Sequence, residues 1–302
     1  AAGLRDEIRA LRANGIARFN VNFMCHRVPP RDADAERRWQ ARLAPYCREF
    51  GIDPDALSTA RPRAAFDAET AAAVVELRPP VVSFCYGLPD AALLDPVKAS
   101  GATVIGAATT AAEARWLAQH GADVIVAQGL EAGGHRGMFL ARDVASQKPL
   151  RELLPEVLRA VNVPVVAAGG ISSAHAVREL LALGAVAVQV GSAYLLTAEA
   201  LTKPPHRRAL EGPDAGRTEL TNLFSGGLAR GIVNRLMREC GPVDRDVPAF
   251  PWASLALAPL RAAAEARGSG DFSPLWSGMS GAQGQPARAG DVTRRLAGVD
   301  PS

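Results

Sequence analysis

The fold of this protein is decided by residues 101–128, which read GATVIGAATTAAEARWLAQHGADVIVAQ. Two short runs of apolar and β-branched residues, Thr103–Ala107 and Asp123–Ala127, enclose an amphipathic stretch from Ala111 to Gln119. Short apolar runs of this kind are typical of buried parallel strands, and the stretch between them has the apolar spacing of a helix. The segment therefore predicts a strand–helix–strand unit.

The joint between helix and strand in this segment recurs along the chain. The pair Gly-Ala stands at Gly101-Ala102, Gly121-Ala122 and Gly184-Ala185, where a glycine can end a helix before the next strand begins. Repeated joints of this kind, the first two of them 20 residues apart, favour a barrel of βα units over a mixed sheet. The predicted strands are Ala17–Phe23, Val81–Cys85, Thr103–Ala107, Asp123–Ala127, Val163–Ala168 and Val186–Val190.

The predicted barrel has fewer strands than a complete one. A (β/α)8 barrel needs eight strands, whereas the chain opens on a predicted helix, Leu4–Ala13, with no strand before it. We therefore expect two βα units before residue 1 to be missing. The prediction is an α/β fold, a TIM-type (β/α)8 barrel lacking its first two βα units, with the barrel in residues 1–200.

The alternation of strands and helices stops after Thr197. Helical segments are predicted at Leu220–Cys240 and Ser254–Ala266, and the glycine-rich stretch Gly278–Gly290 is predicted to form a flexible turn. Residues 201–302 are therefore expected to form a C-terminal helical appendage, or lid, over the barrel mouth, with a disordered tail at its end.

The composition argues against several classes of protein. The 302 residues are 48% hydrophobic and carry a net charge of +3 without any run of five like charges, which argues against a nucleic-acid partner. No apolar stretch has the length of a membrane span. The cysteines at positions 25, 47, 85 and 240 are too far apart for a metal-ligand pair and too few for a disulfide scaffold. We expect a cytoplasmic protein with free thiols, no metal and no membrane partner.

Glycine-rich turns follow the last two predicted strands. Gly169 and Gly170 come after the fifth strand, and Gln189, Val190, Gly191 and Ser192 close the sixth. Glycine lets backbone N–H groups approach a phosphate closely, and the following helix N-terminus adds a positive dipole. The alternative is a pair of ordinary tight turns. Two such turns side by side favour a bound phosphate, which could belong to flavin mononucleotide (FMN) or to a sugar phosphate.

A third glycine-rich segment, residues 128–137, reads QGLEAGGHRG and follows the predicted strand at residues 123–127. Its glycines, which include Gly133 and Gly134, leave room for a ring beside the imidazole of His135. Histidine titrates near neutral pH and can remove a proton next to an electron-withdrawing group. We predict His135 as the catalytic base and Gln128 as a donor to a cofactor ring; the alternative for His135 is a structural role.

Other polar and aromatic residues follow the earlier strands. Asn22 is placed to contact a flavin ring, and His26 follows the end of its strand, where it could line the substrate pocket. Phe84 and Tyr86 could form the wall of an apolar substrate pocket, although a place in the core is an equal alternative for Phe84.

These motifs resemble the nitronate monooxygenases, formerly called 2-nitropropane dioxygenases. The loop AQGLEAGGHRG is similar to the signature loop of that family, and VVSFCYGLP, VIGAATTAAEA, VPVVAAGGI and AVAVQVGSAYLLT resemble its flanking motifs in the same order. The resemblance covers Asn22 to Thr197 almost continuously.

The resemblance implies a TIM barrel that holds one FMN and no metal. Asn22, Gln128 and Gly133 would contact the flavin, and the glycine turns would hold its phosphate. His135 would deprotonate a neutral nitroalkane or orient a nitronate, and O2 would be consumed to give a carbonyl compound and nitrite. The implied partners are a small-molecule nitronate and O2, with a homo-oligomer as an open alternative.

The chain departs from the family pattern in three places. The N-terminal strand with a Gln-Ala-Pro-Met-like flavin contact and the strand after it are absent. The motif that usually resembles SGRPAR reads SGGLAR at residues 225–230, and the Trp-x-Gly-Gln element is altered around residues 276–285. Two alternatives therefore stay open: an FMN- and NAD(P)H-dependent enoyl-acyl-carrier-protein reductase, and a truncated barrel without catalytic function.

Overall fold

The central element of the protein is a curled sheet of parallel strands with helices on its outer side. The computed structural model describes residues 2–54, 62, 64–140 and 143–299. The parallel strands lie in the order β1-β2-β3-β4-β6-β7, so that β1 and β7 are the two ends of the sheet. Their bounds are β1 Asn20–Met24, β2 Val81–Cys85, β3 Thr103–Ala108, β4 Val124–Gln128, β6 Val165–Ala168 and β7 Ala187–Gln189; a short β5, Gly134–His135, lies outside this sheet.

All six predicted strands are present, with bounds that shift by up to three residues. The largest shift is in β1, because residues 17–19 precede its first ladder contact, which joins Asn20 to Val81. An α/β half-barrel is thereby confirmed. The two further βα units expected before residue 1 stay a prediction.

Helices follow most of the strands and cover the sheet. Those in the barrel part are α1 Ala2–Ala13, α2 Ala33–Glu49, α3 Ala68–Leu77, α4 Ala91–Ala99, α5 Ala111–Gln119, α6 Leu150–Ala160 and α7 Ala174–Ala182. Those after the barrel are α8 Pro204–Glu211, α9 Arg235–Cys240, α10 Ala253–Ala266 and α11 Ala289–Ala297. None of the helices in the described ranges is long and apolar enough to cross a membrane.

The largest buried cluster lies between the sheet and the helices α5 and α6. Leu117 of α5 and Leu154 of α6 are fully buried against Ile125 of β4. The strand residues that face these helices are apolar, because both faces of a parallel sheet are covered in such a fold.

Shortening a side chain in this cluster should lower the free energy of unfolding substantially. We expect Leu154→Ala to lower the free energy of unfolding by roughly 2–5 kcal/mol, since it removes buried methyl groups and leaves a cavity. Leu181→Ala, at a position 42% exposed on α7, is the matched control and should change it by less than about 0.5 kcal/mol. Urea denaturation of both variants measures the difference; equal losses would show that the cluster is not the stabilising core.

The helix predicted at Leu220–Cys240 is wrong over most of its length. The strands β8, Thr218–Thr221, and β9, Ala229–Ile232, form an antiparallel pair, and only α9 is helical. Glycines at positions 226, 227 and 231 disfavour a helix here, and β9 also pairs with β5 in a second sheet. The appendage therefore contains strands as well as helices.

The end of the chain is more ordered than predicted. Residues 289–297 form α11, whose Val292 and Leu296 are buried in a small cluster with Ala193. The glycine-rich stretch before it contains a short 3₁₀ turn, Gly281–Gln283. Its start is anchored, because the amide of Met279 donates to the carbonyl of Glu131 at 3.0 Å.

Candidate functional site

A cavity of about 530 Å³ opens at the carboxyl ends of the parallel strands. No charged side chain lines it among the described residues, so its polar surface consists of backbone groups, amides and hydroxyls. Every residue predicted to contact the flavin lines this cavity. These residues are Asn22, Gln128, Gly133, Gly134, Gly169, Gly170, Gln189, Val190, Gly191 and Ser192.

The glycine turns leave one side of the cavity bare of side chains. Gly169 and Gly170 have φ values of +119° and +69°, a region that favours glycine. A Cβ added at Gly134 or Gly191 would meet no protein atom within 4 Å, so these backbones border open space. Within the described part of the chain, the amides of Gly170, Gly191 and Ser192 donate to no protein acceptor.

These features fit the phosphate end of a flavin nucleotide. Backbone N–H groups without protein acceptors can donate to phosphate oxygens, and glycine lets them approach closely. The side chain of Ser192 is tied to the protein, because its Oγ accepts from the amide of Gly278 at 2.8 Å. That contact joins the turn after β7 to the segment that carries Trp276, another lining residue.

His135 is presented by the short strand β5. Its backbone pairs with Ala229 of β9, and its Nε2 lies 2.8 Å from Oγ of Ser225, a hydrogen bond across 90 residues of sequence. Gly134, the residue before it, has φ +75° and lines the cavity. The backbone pairing and the hydroxyl together hold the imidazole next to two residues that line the cavity, Gly134 and Trp276, although His135 itself is not one of the lining residues.

The side chain of Gln128 binds the backbone of the loop that carries His135. Its Nε2 donates to the carbonyl of His135 at 2.9 Å, and its Oε1 accepts from the amide of Gly137 at 2.8 Å. One amide side chain therefore fixes the backbone from His135 to Gly137. Contact with a flavin ring stays a prediction for Gln128, which has one further N–H.

An aromatic cluster surrounds the imidazole. Phe250 lies 5.3 Å from the ring of His135 and 4.6 Å from that of His26, measured between centroids. Tyr86 and Trp276 lie 6.4 Å and 5.4 Å from His135. His26 and Tyr86 thus lie close to His135, but none of the three lines the cavity, and the role of His26 and Tyr86 in a substrate pocket stays a prediction.

Phe84 is placed differently from the other predicted pocket residues. It borders the cavity, but its side chain is 1% exposed and its ring packs on Phe23 and Phe66 in the core. The placement favours the core alternative for Phe84.

On the neighbouring strand, Asn22 Oδ1 accepts from Ser83 Oγ at 2.8 Å, which orients the Asn22 amide at the cavity wall.

Ser225 and Phe250 were missed by sequence reasoning. Gly226, with φ +86°, lets the segment that carries Ser225 pack closely against the segment that carries Phe250. A Cβ at position 226 would clash with the backbone oxygen of Pro248. At Gly227 a Cβ would lie 3.3 Å from both the Phe250 ring and the Tyr86 hydroxyl. The glycine pair in SGGLAR was therefore the available signal: it permits a close approach to the aromatic cluster.

The two charged residues of the EAGGHRG loop, Glu131 and Arg136, make structural contacts. Glu131 accepts from the amide of Leu150, at 3.0 Å by its nearer oxygen. Arg136 is 1% exposed, and burial, followed by the nearby charge of Arg230, lowers its pKa to about 10, so it stays protonated at neutral pH. Neither side chain lines the cavity.

Comparison with known proteins places nearly the whole chain in one family. The family model described as nitronate monooxygenase matches residues 1–294. A nitronate monooxygenase of Pseudomonas aeruginosa is 38% identical over 97% of this chain and 84% of its own length. A second, from Paraburkholderia phytofirmans, is 35% identical over 98% of this chain and 81% of its own length.

The solved structures agree with the sequence relatives. The nitroalkane oxidase of Streptomyces ansochromogenes is 35% identical and superposes with a TM-score of 0.88 over 98% of this chain and 84% of its own. FabK of Thermotoga maritima, at 22% identity, has a TM-score of 0.65 over 97% of this chain and 79% of its own, which shows a shared fold only. The chain belongs to the nitronate monooxygenase family.

Proposed function

We propose that this protein oxidises alkyl nitronates with FMN and O2 to carbonyl compounds and nitrite. The observation that carries the proposal is the position of His135. It is held next to a cavity that no charged side chain lines in the described residues and that is bordered by the glycine turns. The names of the relatives support the same reaction: two are nitronate monooxygenases and one is a nitroalkane oxidase.

The residues present fit FMN. Gly170, Gly191 and Ser192 would hold its phosphate, because their amides have no protein acceptor in the described ranges. Asn22, Gly133 and Gly134 would lie along its ring, where amide and backbone groups are available and side-chain bulk is small. Bound FMN would supply the redox chemistry, with O2 as the electron acceptor.

His135 would handle the proton. A neutral nitroalkane must lose a proton from the carbon next to the nitro group, and an imidazole is a side chain suited to take it. The hydrogen bond to Ser225 fixes the ring plane, so that the base is oriented before the substrate arrives. A nitronate already lacks that proton and needs only orientation by the same imidazole.

The aromatic cluster would bind the carbon chain of the substrate. Tyr86, Phe250 and Trp276 offer apolar ring surface around His135, with His26 behind Phe250. Apolar walls around one polar group are the usual composition of a small-molecule site.

The proposal is tested by substrate-dependent O2 uptake. Protein loaded with FMN is given an alkyl nitronate, the parent nitroalkane, or NADH with an enoyl thioester, and O2, nitrite and NADH oxidation are measured together. We expect nitrite release and O2 uptake with the nitronate, slower turnover of the nitroalkane and no reduction of the enoyl thioester. Enoyl reduction without nitrite release would overturn the proposal in favour of the reductase.

A further inference from the structure

A chain of buried polar side chains lies behind the loop that carries His135. It consists of Arg136, Gln147, Thr109 and Glu113, none of which lines the cavity. The two charged members, Arg136 and Glu113, are 1% and 0% exposed. A buried charge is costly unless hydrogen bonds and an opposite charge offset the loss of water. The contacts that offset this cost for Arg136 and Glu113 therefore indicate what the two residues hold in place.

Arg136, at one end of this series of polar side chains, binds the start of the loop that carries His135. Arg136 donates through Nη1 to the carbonyl of Gly129 at 2.8 Å and through Nη2 to that of Gln128 at 2.9 Å. Its Nε and Nη2 also donate to Oε1 of Gln147, at 3.1 Å and 2.8 Å. The guanidinium thus ties residue 136 to the two residues at which the loop leaves β4.

The glutamate end holds the exit of the same loop. Oε1 of Glu113 accepts from the amides of Phe139 at 2.6 Å and Leu140 at 3.1 Å. Its Oε2 accepts from both the amide and the hydroxyl of Thr109, at 2.8 Å and 2.6 Å.

The two ends are joined by neutral groups with one consistent direction of donation. Nε2 of Gln147 donates to Oγ1 of Thr109 at 2.8 Å, and that hydroxyl donates onward to Glu113. The positive end and the negative end are therefore linked by aligned dipoles, an arrangement in which each hydrogen bond strengthens the next. Removing the middle member would leave buried polar atoms unpaired on both sides.

We propose that Thr109 and Gln147 are positioning residues for His135: they hold Arg136 and Glu113 so that the loop at residues 129–140 presents the imidazole at one fixed place. His135 sits between the residues that the two ends bind, and its own backbone is clamped by Gln128. The catalytic part of this inference rests on the proposed function; the fixation of the loop does not.

Three variants separate the effect of the polar side-chain network on the loop from a general loss of stability. Thr109→Val keeps the side-chain shape and removes the hydroxyl, and Thr109→Ser restores it. Asp67→Ala removes the N-cap of α3, whose carboxylate accepts from the amide of Thr70 at 2.8 Å, and serves as a destabilised control away from the loop. Gln147→Met replaces Thr109→Val if the latter does not fold.

Hydrogen exchange of the loop amides is the first measurement and needs no substrate. In Thr109→Val we expect the amides of Phe139 and Leu140 to exchange at least about tenfold faster than in the wild type, because their acceptor, the carboxylate of Glu113, loses its fixed position. Thr109→Ser should exchange at the wild-type rate, and so should this loop in Asp67→Ala at a comparable loss of Tm. Unchanged exchange in Thr109→Val, or equal acceleration in Asp67→Ala, would overturn the inference.

The ratio of kcat/KM for a neutral nitroalkane to that for its nitronate is the second measurement. Misplacing a base should slow the substrate that needs proton removal, so we expect this ratio to fall by roughly tenfold in Thr109→Val and to recover in Thr109→Ser. An unchanged ratio despite a faster-exchanging loop would overturn the positioning role. If the wild type oxidised neither substrate, the proposed function would fail, whereas loop fixation would be decided by exchange alone.

Discussion

Replacing His135 by alanine is expected to lower kcat/KM for a neutral nitroalkane by roughly 10²–10⁴-fold, the usual contribution of a general base. The corresponding nitronate should lose less than about tenfold, because its proton is already gone and it loses only an orienting contact. The geometry supports this difference, since the imidazole stands beside the cavity with Nε2 held 2.8 Å from Ser225 Oγ.

The matched control is His175→Ala. His175 lies on the surface of α7, with a side chain 74% exposed, and should change neither rate. Steady-state kinetics on both substrates, with equal FMN loading of all three proteins, measures the split. An equal loss on nitroalkane and nitronate would contradict a proton-transfer role and leave His135 as a binding or structural residue.

Filling the space at Gly191 should weaken FMN binding without unfolding the protein. A Cβ at this position meets no protein atom within 4 Å, and its φ of −114° is open to any residue. Gly191→Leu therefore places its bulk in the cavity where the phosphate is proposed to bind. An overpacked contact costs about 1–3 kcal/mol, so we expect the Kd for FMN to rise by roughly 5- to 150-fold.

Gly3→Ala is the control for this substitution. Gly3 is also clear of protein atoms within 4 Å, but it lies on α1 away from the cavity lining. Fluorescence quenching gives the Kd for FMN, and thermal unfolding without FMN gives the Tm. We expect Gly191→Leu to keep the Tm of the wild type within a few degrees; an unchanged Kd would show that the phosphate does not lie at this turn.

The parts of the fold that depend on local pattern could be predicted. The Gly-Ala joints and the apolar runs located every strand of the parallel sheet, because a buried strand and the turn before it are encoded in a few adjacent residues. The cavity lining followed from the same logic, since residues after the strands of a parallel sheet lie at its carboxyl edge.

The features that depend on distant parts of the chain could not be predicted. The pairing of β5 with β9 and the bond from His135 to Ser225 join segments about 90 residues apart, and no local periodicity signals them. The helix expected at Leu220–Cys240 was wrong for a different reason: its apolar spacing resembles a helix, but the glycines within it favour an antiparallel hairpin of β8 and β9.

One departure from the family motif has a structural consequence. In SGGLAR the glycine at position 227 stands where the family motif carries arginine, and a side chain there would push against Phe250 and Tyr86. The aromatic cluster around His135 therefore closes over a neutral surface, which suits an apolar substituent on the nitronate.

The most direct test of the central claim is the visible absorbance of the FMN-loaded protein mixed without oxygen with an alkyl nitronate and, separately, with NADH. We predict a rapid loss of the oxidised flavin absorbance with the nitronate and none with NADH, followed by recovery and nitrite release when O2 is admitted. Rapid reduction by NADH, with no change on adding nitronate, would contradict the assignment of this site to nitronate oxidation.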